Sequence, residues 1–369
     1  MLTTFRLWRK WDAKLLIPVL FIGIMGYIMI FSTTSFKGLS DYNDAYYFIK
    51  RHTIYLMVGL VGFMIANSIP IRLYRRYSVW GYIMAIGVLL LLFIPGIGTT
   101  IGGATRWLRL GTIQFQPVEI VKFWWAVAVS KVLSSKQAHL QSIQMGVVPV
   151  VIVMTVPIAC LMMQPDLGNA ILTLMVGVVV LLISTMPVRL LVGAILIAIA
   201  SVVVSIIKYP YQLTRIESFM NPWKDPLGAN YHVIQSFTAI GSGGISGFGI
   251  GESRLKYFYL PLHYSDFIFS ILCEEGGIVL AILVILAFLL MGVRGISIAR
   301  QQVRYSFSQF LAASLTFFLV FQAMINICVV IGLFPVTGIP LTFISYGGTS
   351  LIASLFCLGV LHRVSVETP

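Results

Sequence analysis

The chain has 369 residues, of which 59% are hydrophobic, 13% aromatic and only 10% charged, and its mean hydropathy is +0.95. Soluble domains usually carry about 25% charged residues, so this composition excludes a soluble globular enzyme. The formal net charge of +13 would suit a nucleic-acid partner or a membrane topology, and the positions of the charges decide between the two.

Apolar runs long enough to cross a bilayer recur along the whole chain. Read between charged breaks, they predict an all-α polytopic membrane protein with about ten transmembrane helices in a single domain, 1–369. The predicted spans are 15–35, 53–69, 78–95, 118–133, 145–163, 168–185, 188–207, 266–291, 308–333 and 343–361. Because the first apolar run is followed by many others, we expect a retained N-terminus rather than a cleaved signal peptide.

Most basic residues fall on one side of this predicted membrane. With the N-terminus inside, the inner segments hold fourteen lysines and arginines but only two acids, Asp12 and Glu367. This excess is a positive-inside signature, so it predicts both termini in the cytoplasm. It also explains the net charge without a nucleic-acid partner.

The loops on the outer side of the predicted membrane are polar, and membrane topology alone does not account for their polar residues. The longest is one large extracytoplasmic loop, 208–265, and a loop of that length is rarely without function. An outer loop at 96–117 contains GGATRWLRLGTIQFQP, and two shorter ones contain QPDLGN at 164–169 and FPVTGIPLTFISYGG at 334–348. We therefore expect a polar site at the outer face.

Charged residues stand where two of the spans begin. In QFQPVEIVK, Glu119 and Lys122 are either an i,i+3 ion pair or a pair from which the lysine presents its ammonium to a phosphate. In QPDLGN, Asp166 is either the N-cap of the next helix or a carboxylate at the outer mouth of the bundle. Both alternatives stay open for each motif.

The second half of the large loop is rich in glycine. Residues 240–251 read IGSGGISGFGIG, which fits neither a Rossmann nor a Walker motif. Its six glycines would suit either an anion nest for a pyrophosphate or a flexible hairpin.

Carboxylates follow at the start of the next long span. Asp266 is either an N-cap or a functional carboxylate at the first turn. Glu274 and Glu275 lie about 12–13 Å deeper, where a carboxylate is costly unless it is paired. Lys122 is a candidate partner for one of them.

These segments, in this order, resemble the SEDS family, which includes FtsW, RodA and SpoVE. The resemblance covers nearly the full length: GATRWLRLGTIQFQPVEIVK, QPDLGN, NPWKDPLGANYHVIQSFTAIGSGGISGFG, YLPLHYSDFIF with EEGG, and INICVVIGLFPVTGIPLTFISYGGTSL. It implies a peptidoglycan glycosyltransferase that polymerises lipid II into β-1,4 glycan strands at the outer face of the bacterial inner membrane. The short spacing in GFGIGESRLKYFYLP and the segment FQAMIN resemble the FtsW branch, which implies septal synthesis in cell division.

The resemblance also implies roles for individual residues. Asp266 matches the family's essential aspartate and would be the general base, taking a proton from the acceptor sugar's 4-hydroxyl. Cationic groups should stabilise the pyrophosphate that leaves the donor. The candidate substrate-binding residues are Lys122, Glu119, Arg106, Asp166, Arg215, Arg254, Lys256, His263, Ser265 and Ser345. A divalent cation, Mg²⁺ or Mn²⁺, is a further candidate, and no organic cofactor is expected.

The implied partners are lipid II, glycan linked to undecaprenyl pyrophosphate, a class B penicillin-binding transpeptidase of the FtsI type and other division proteins. One segment departs from the family pattern, because Leu262 stands where a glutamate is usual and Ser265 where a threonine is usual. Three alternatives stay open: a lipid II flippase, a scaffold that only recruits the transpeptidase, and a RodA-like polymerase of cell elongation. A flippase would need polar groups in the inner halves of spans, whereas here they concentrate outside.

Overall fold

The structure is a computed structural model that describes residues 11–101, 104–110, 113–226, 228, 230–256 and 264–367. These residues form a helical bundle with one small sheet. The helices are α1 (Ala13–Tyr42), α2 (Tyr47–Ser68), α3 (Ile71–Leu90), α4 (Pro117–Lys136), α5 (Val148–Met163), α6 (Leu167–Ile183), α7 (Val188–Lys208), α8 (Pro210–Met220), α9 (Tyr231–Gly243), α10 (Ile268–Gln301), α11 (Phe307–Val330) and α12 (Gly348–Glu367). The strands are β1 (Gly98–Ile101), β2 (Ala104–Leu110) and β3 (Ile113–Phe115).

Ten of these helices coincide with the ten predicted spans, so the all-α polytopic fold is confirmed. Within the described residues, eight helices are long and apolar enough to cross a membrane. The other two are α6, which has 17 residues, and α4, which carries Glu119 and Lys122 in its first turns. Helix α6 is apolar and falls short only in length, whereas α4 is largely buried by its neighbours, so its two charged side chains do not face lipid.

A small antiparallel sheet in the loop before α4 adds to the predicted architecture. Strand β2 lies in the middle, with Trp107 opposite Thr99 and Arg109 opposite Gln114. Threonine, tryptophan and isoleucine in this stretch favour strands. The sheet holds Arg106 and Trp107 on a paired ribbon rather than on a free loop.

The described residues of the predicted loop 208–265 include two α-helices. Pro210 opens α8 at a position where its missing N–H costs no intrahelical hydrogen bond. Helix α9 follows, and the glycine-rich segment after it turns back toward α10.

Helix α10 is broken at Gly277, and the glycine-rich segment fills the break. Gly277 has φ 66° and ψ −171°, a backbone conformation that residues other than glycine rarely adopt. The main-chain N–H of Phe248 donates to Glu274 O at 3.0 Å, and that of Ile278 donates to Gly244 O at 3.0 Å. The glycines therefore bring one backbone against another, and this contact satisfies polar groups that the break releases.

Both described ends of the chain lie at the same end of the bundle. Asp12, just before α1, pairs with Arg294 of α10 at 2.8 Å, and its N–H donates to His362 Nε2 of α12 at 3.2 Å. Asp266 precedes α10, in which the part after the break, residues 278–301, alone extends about 36 Å at 1.5 Å per residue. Asp266 is therefore at the opposite end from the termini.

Candidate functional site

Two cavities meet at Asp266. The first, which we call the phenylalanine cavity, has a volume of about 370 Å³, and its walls include Phe219, Phe237, Phe267 and Phe334. The second, the tyrosine cavity, has a volume of about 400 Å³, and its walls include Tyr55, Trp107, Tyr264, Tyr346, Arg106 and Gln116. Asp266, Arg215 and Tyr211 line both. Each cavity is large enough to hold part of a substrate molecule.

The main chain around Asp266 is fixed by hydrogen bonds from two neighbouring segments. The side-chain amide of Asn326 in α11 donates to the main-chain oxygens of Asp266 and Ile339, both at 2.8 Å. The Ser345 hydroxyl donates to the main-chain oxygen of Ser265. These bonds tie the start of α10 to α11 and to the loop before α12, so the carboxylate is held by its backbone.

Arg106 approaches Asp266 from β2. It donates to Pro165 O at 2.7 Å, and its Nε lies 3.5 Å from Asp166 Oδ1. A Cβ atom built on Gly338 would lie 3.4 Å from Arg106 Nη1 and 3.7 Å from Asp266 Oδ2. The guanidinium and the carboxylate therefore face the same small space beside Gly338.

Arg215 approaches the same carboxylate from α8. It donates to Val336 O at 2.9 Å and to the Tyr211 hydroxyl, and its guanidinium lies 4.5 Å from the centre of the Tyr211 ring. Burial lowers the pKa of Arg215, but a guanidinium stays protonated in proteins. A fixed positive charge therefore stands where the two cavities join.

The environment of Asp266 changes its acidity. Burial raises the pKa of Asp266, while Arg215 and then Arg106 act in the opposite direction. The side chain keeps partial exposure, and this exposure is to the two cavities. A carboxylate of raised pKa that a substrate hydroxyl can reach is suited to general base catalysis.

Asp166 supports the site through Arg106. It occupies the N-cap position of α6, but its carboxylate serves other partners: Oδ2 accepts a hydrogen bond from Asn169 Nδ2 at 2.9 Å, and Oδ1 faces Arg106. Of the two open interpretations, the structure favours a carboxylate at the mouth of the bundle. Asp166 orients Arg106 and balances part of its charge.

The predicted site residues separate into two groups. Asp266, Arg106, Arg215 and Ser265 line the cavities, with Asp166 directly behind Arg106. Of the predicted residues that the structure describes, five others line neither cavity: Lys122, Glu119, Arg254, Lys256 and Ser345. Arg254 is exposed, with its guanidinium 5.1 Å from the Phe248 ring centre. Substrate contact by these five stays a prediction, and His263 and Leu262 lie outside the described residues.

The buried lysine of α4 has protein partners. Lys122 Nζ donates to Glu119 Oε1 at 2.9 Å and to Gln322 Oε1 at 2.6 Å, which confirms the i,i+3 ion pair. The candidate pairing of Lys122 with Glu274 or Glu275 is wrong, because Lys122 pairs with Glu119, Lys256 pairs with Glu275, and Glu274 binds Ser253 and the Arg254 N–H. Lys256 comes from the loop before α10, and spacing along the sequence does not reveal its contact.

The predicted divalent cation has few candidate ligands at the site. Within the described part of the chain, no three His, Cys, Asp or Glu side chains converge on one point. Asp266 instead faces two arginines, whose charges compete with a metal ion for the carboxylate. The described residues therefore do not fit an Mg²⁺ or Mn²⁺ ion held by the protein alone.

Sequence reasoning missed the aromatic wall of the tyrosine cavity. Tyr55, Tyr211 and Tyr346 carry no charge, and aromatic residues near a membrane surface usually form an interfacial belt. The sequence did offer one indication of this wall, because Trp107 and Tyr346 lie within the segments TRWLRLG and ISYGG of the polar outer loops. Asn326 was missed because it acts on a main-chain oxygen from a distant helix.

The fold and the site define a polytopic membrane protein with a carboxylate and two arginines where two cavities meet at one end of the bundle. The family model described as "Cell cycle protein", which groups FtsW, RodA and SpoVE, matches residues 12–369. The chain belongs to this family, which confirms the resemblance found in the sequence.

Individual relatives match over nearly the whole chain. The probable peptidoglycan glycosyltransferase FtsW of Geobacter sp. strain M18 is 36% identical over 357 residues, which are 97% of each protein. Stage V sporulation protein E of Bacillus subtilis strain 168 is 36% identical over 356 residues, which are 96% of each.

Two solved structures share the fold. A chain of a peptidoglycan synthase complex, described for its structural coordination of polymerization and crosslinking, is 26% identical, with a TM-score of 0.78 over 97% of this chain and 98% of that one. The Thermus thermophilus rod shape determining protein RodA is 24% identical, with a TM-score of 0.71 over 98% of each chain, and shows the fold alone.

Proposed function

We propose that this protein is a peptidoglycan glycosyltransferase that polymerises lipid II into β-1,4 glycan strands, with Asp266 as the general base. The observation that carries the proposal is the position of Asp266, which lines both cavities and faces Arg106 and Arg215. A glycosyltransferase must hold a donor and an acceptor with the reacting atoms between them. Two cavities that share one carboxylate meet this requirement.

The proposed step is a single displacement. Asp266 takes the proton from the 4-hydroxyl of the acceptor's N-acetylglucosamine while that oxygen bonds to the anomeric carbon of the donor sugar. The bond from that carbon to undecaprenyl pyrophosphate breaks, and the pyrophosphate leaves with the electron pair. Attack from the opposite face inverts the configuration, so an α-linked donor gives a β-1,4 bond. A positioned base typically contributes about 10²–10⁴-fold to such a rate.

The arginines supply the second requirement, which is stabilisation of the leaving group. Arg215 lines both cavities, and Arg106 lines the tyrosine cavity beside Asp266. A guanidinium offers paired N–H donors that match phosphate oxygens. Both side chains are already held by main-chain carbonyls, so little reorganisation is needed when negative charge develops.

The cavities also differ in a way that suits a lipid-linked substrate. Phe334 of the phenylalanine cavity also lines an apolar groove of about 490 Å³ between α6 and α7, with walls that include Leu174, Val178, Ile199 and Val203. We propose that the polyprenyl chain of a substrate follows this route. The tyrosine cavity, with amides, hydroxyls and aromatic rings, would then receive sugar.

The chain is a multi-pass membrane protein, and we propose that both termini are cytoplasmic and that it acts at the division septum. The FtsW relatives support the septal role, and the peptidoglycan synthase complex supports a crosslinking partner, for which we propose a class B penicillin-binding transpeptidase of the FtsI type. Wall synthesis during sporulation is a second candidate, because the stage V sporulation protein E relative has the same sequence identity to this chain, 36%, as the FtsW relative from Geobacter sp. strain M18. Expression in cells depleted of FtsW, RodA or SpoVE tests this assignment, and rescue of RodA loss alone would overturn it.

The experiment that tests the activity uses the purified protein, with and without its cognate transpeptidase, and labelled lipid II. Glycan strands are the expected product. A folded, partner-bound protein that makes no polymer but moves lipid II across vesicles would instead be the flippase. One that does neither would be the scaffold.

A further inference from the structure

A second cluster of buried charges lies about nine residues along α10 from Asp266, near the break at Gly277. The proposed chemistry does not use it. Lys256 Nζ and Glu275 Oε1 are 3.1 Å apart, with side chains only 5% and 0% exposed. Glu275 Oε1 also accepts hydrogen bonds from the Ser32 hydroxyl at 2.6 Å and from the Ser253 N–H at 3.3 Å. Lys256 Nζ further donates to Ser32 Oγ at 3.2 Å and to Gly251 O. We call these five residues the Lys256 cluster.

The neighbouring glutamate strengthens the same connection. Glu274 accepts hydrogen bonds from the Ser253 hydroxyl and from the Arg254 N–H, the latter at 2.9 Å. Two consecutive carboxylates of α10 therefore bind the segment 251–256, while Ser32 brings in α1. Three separate parts of the chain are joined at one buried point.

The break in α10 makes this connection important for Asp266. Gly277 separates residues 268–276, a short helical segment at the Asp266 end that we call the upper segment, from the rest of α10. Asp266 stands just before this segment, and Glu275 lies near its lower end. Because the helix is interrupted, the long part of α10 does not by itself fix the direction of the upper segment. The Lys256 cluster holds it from the side.

We propose that Lys256 and Glu275 are positioning residues for Asp266. The inference rests on the proposed function, because it assumes that Asp266 takes a proton from a bound substrate. Loss of either charge breaks this buried ion pair, which is strongly unfavourable. The upper segment then shifts in response, and a displacement of about 1 Å at a catalytic group costs about 10²-fold in rate.

The test measures kcat and KM for lipid II polymerisation, together with thermal unfolding, in Lys256→Met, Glu275→Gln, their double variant and Lys256→Arg. Each neutralising variant should lower kcat by about 10–100-fold with KM within about twofold, since neither side chain lines either cavity. The double variant should lose no more than the worse single variant, because the two act through one interaction. Lys256→Arg keeps the pair and should retain most of the activity.

A matched control is the exposed ion pair between Lys50 and Asp44, which are 2.7 Å apart with side chains 66% and 35% exposed. Asp44→Asn should leave kcat unchanged. Should the neutralising variants fail to fold, Ser32→Ala tests the proposal instead, because it removes only a hydroxyl that contacts both charges. In that variant, kcat reduced about three- to tenfold at constant KM supports the proposal.

Three results would overturn the inference: wild-type kcat in the folded variants, strictly additive losses in the double variant, or lost activity fully explained by a smaller folded fraction. Failure of the proposed function looks different. In that case the wild-type protein itself makes no polymer, whatever the state of the Lys256 cluster.

Discussion

At the scale of single residues, the protonation of Asp266 controls the proposed reaction. A base works only when deprotonated, and burial raises the pKa of Asp266. We therefore expect kcat/KM to fall as the pH drops through this raised pKa, at a higher pH than for an exposed aspartate. Initial polymerisation rates across the acidic and neutral range measure this acid limb. A flat profile down to the usual pKa of aspartate would contradict the assignment.

The cations beside Asp266 give a second prediction. Arg215 is the main group that opposes the rise in the pKa of Asp266, so Arg215→Met should move the acid limb to higher pH. It should also lower kcat by about 10²–10³-fold, because a donor to the leaving group is lost. Arg300→Met, an exposed arginine at the far end of α10, is the control for the pH shift. An unmoved acid limb in the Arg215 variant would count against this electrostatic account.

The same raised pKa predicts an effect on stability. A folded state that raises the pKa of a carboxyl binds its proton more tightly than the unfolded state, so stability is lost as pH rises through the raised pKa. Asp266→Asn removes this loss. We expect the variant to unfold at a higher temperature than wild type at neutral pH, with a difference that disappears in acid. A variant less stable than wild type at neutral pH would refute this reasoning.

At the scale of elements, the break in α10 depends on one glycine. A Cβ at residue 277 would lie 2.3 Å from Ile245 O, and φ is 66° there. Gly277→Ala should therefore destabilise the protein by about 1–3 kcal/mol, measured by thermal unfolding. Gly193→Ala in α7 is the control, because a Cβ there meets nothing within 4 Å. Equal stability of the two variants would show that the break does not depend on glycine.

The aromatic wall of the tyrosine cavity is a further element with a testable role. Tyr346→Ala and Trp107→Ala remove ring surface but leave Asp266 and the arginines in place. If this cavity receives sugar, KM for lipid II should rise about tenfold or more in each, since every Å² of ring surface that the sugar covers contributes about 25 cal/mol to binding. Unchanged KM in both variants would move the sugar out of this cavity.

These elements also show what a sequence can predict. The ten spans follow from local apolar runs and were predicted, and the Glu119–Lys122 pair was one of the two alternatives that helical spacing offered. The partner of Glu275 comes from a different segment, and Asn326 reaches the backbone of Asp266 across 60 positions in the sequence. Such contacts depend on packing between elements, and local pattern does not contain them. The role of Asp266 came from the family resemblance, whereas its two cavities required the fold.

At the scale of the whole molecule, the proposed reaction requires that the site and the chain ends lie on opposite sides of the membrane. Asn221, near the cavities, and Gln301, at the far end of α10, are both exposed. In a background without the four native cysteines, Asn221→Cys should react with an impermeant thiol reagent in intact cells. Gln301→Cys should react only after the membrane is opened. The reverse pattern would place the site in the cytoplasm, where the proposed strands could not be made.

The most direct test of the central claim compares Asp266→Asn with Asp166→Asn in lipid II polymerisation by the purified protein and its transpeptidase. Both changes replace a carboxylate by its isosteric amide, but of the two residues only Asp266 lines the cavities. We predict that Asp266→Asn still binds lipid II while its rate falls by about 10²–10⁴-fold, whereas Asp166→Asn keeps a measurable rate. Wild-type polymerisation by Asp266→Asn would contradict the account, because the base would then be a different group.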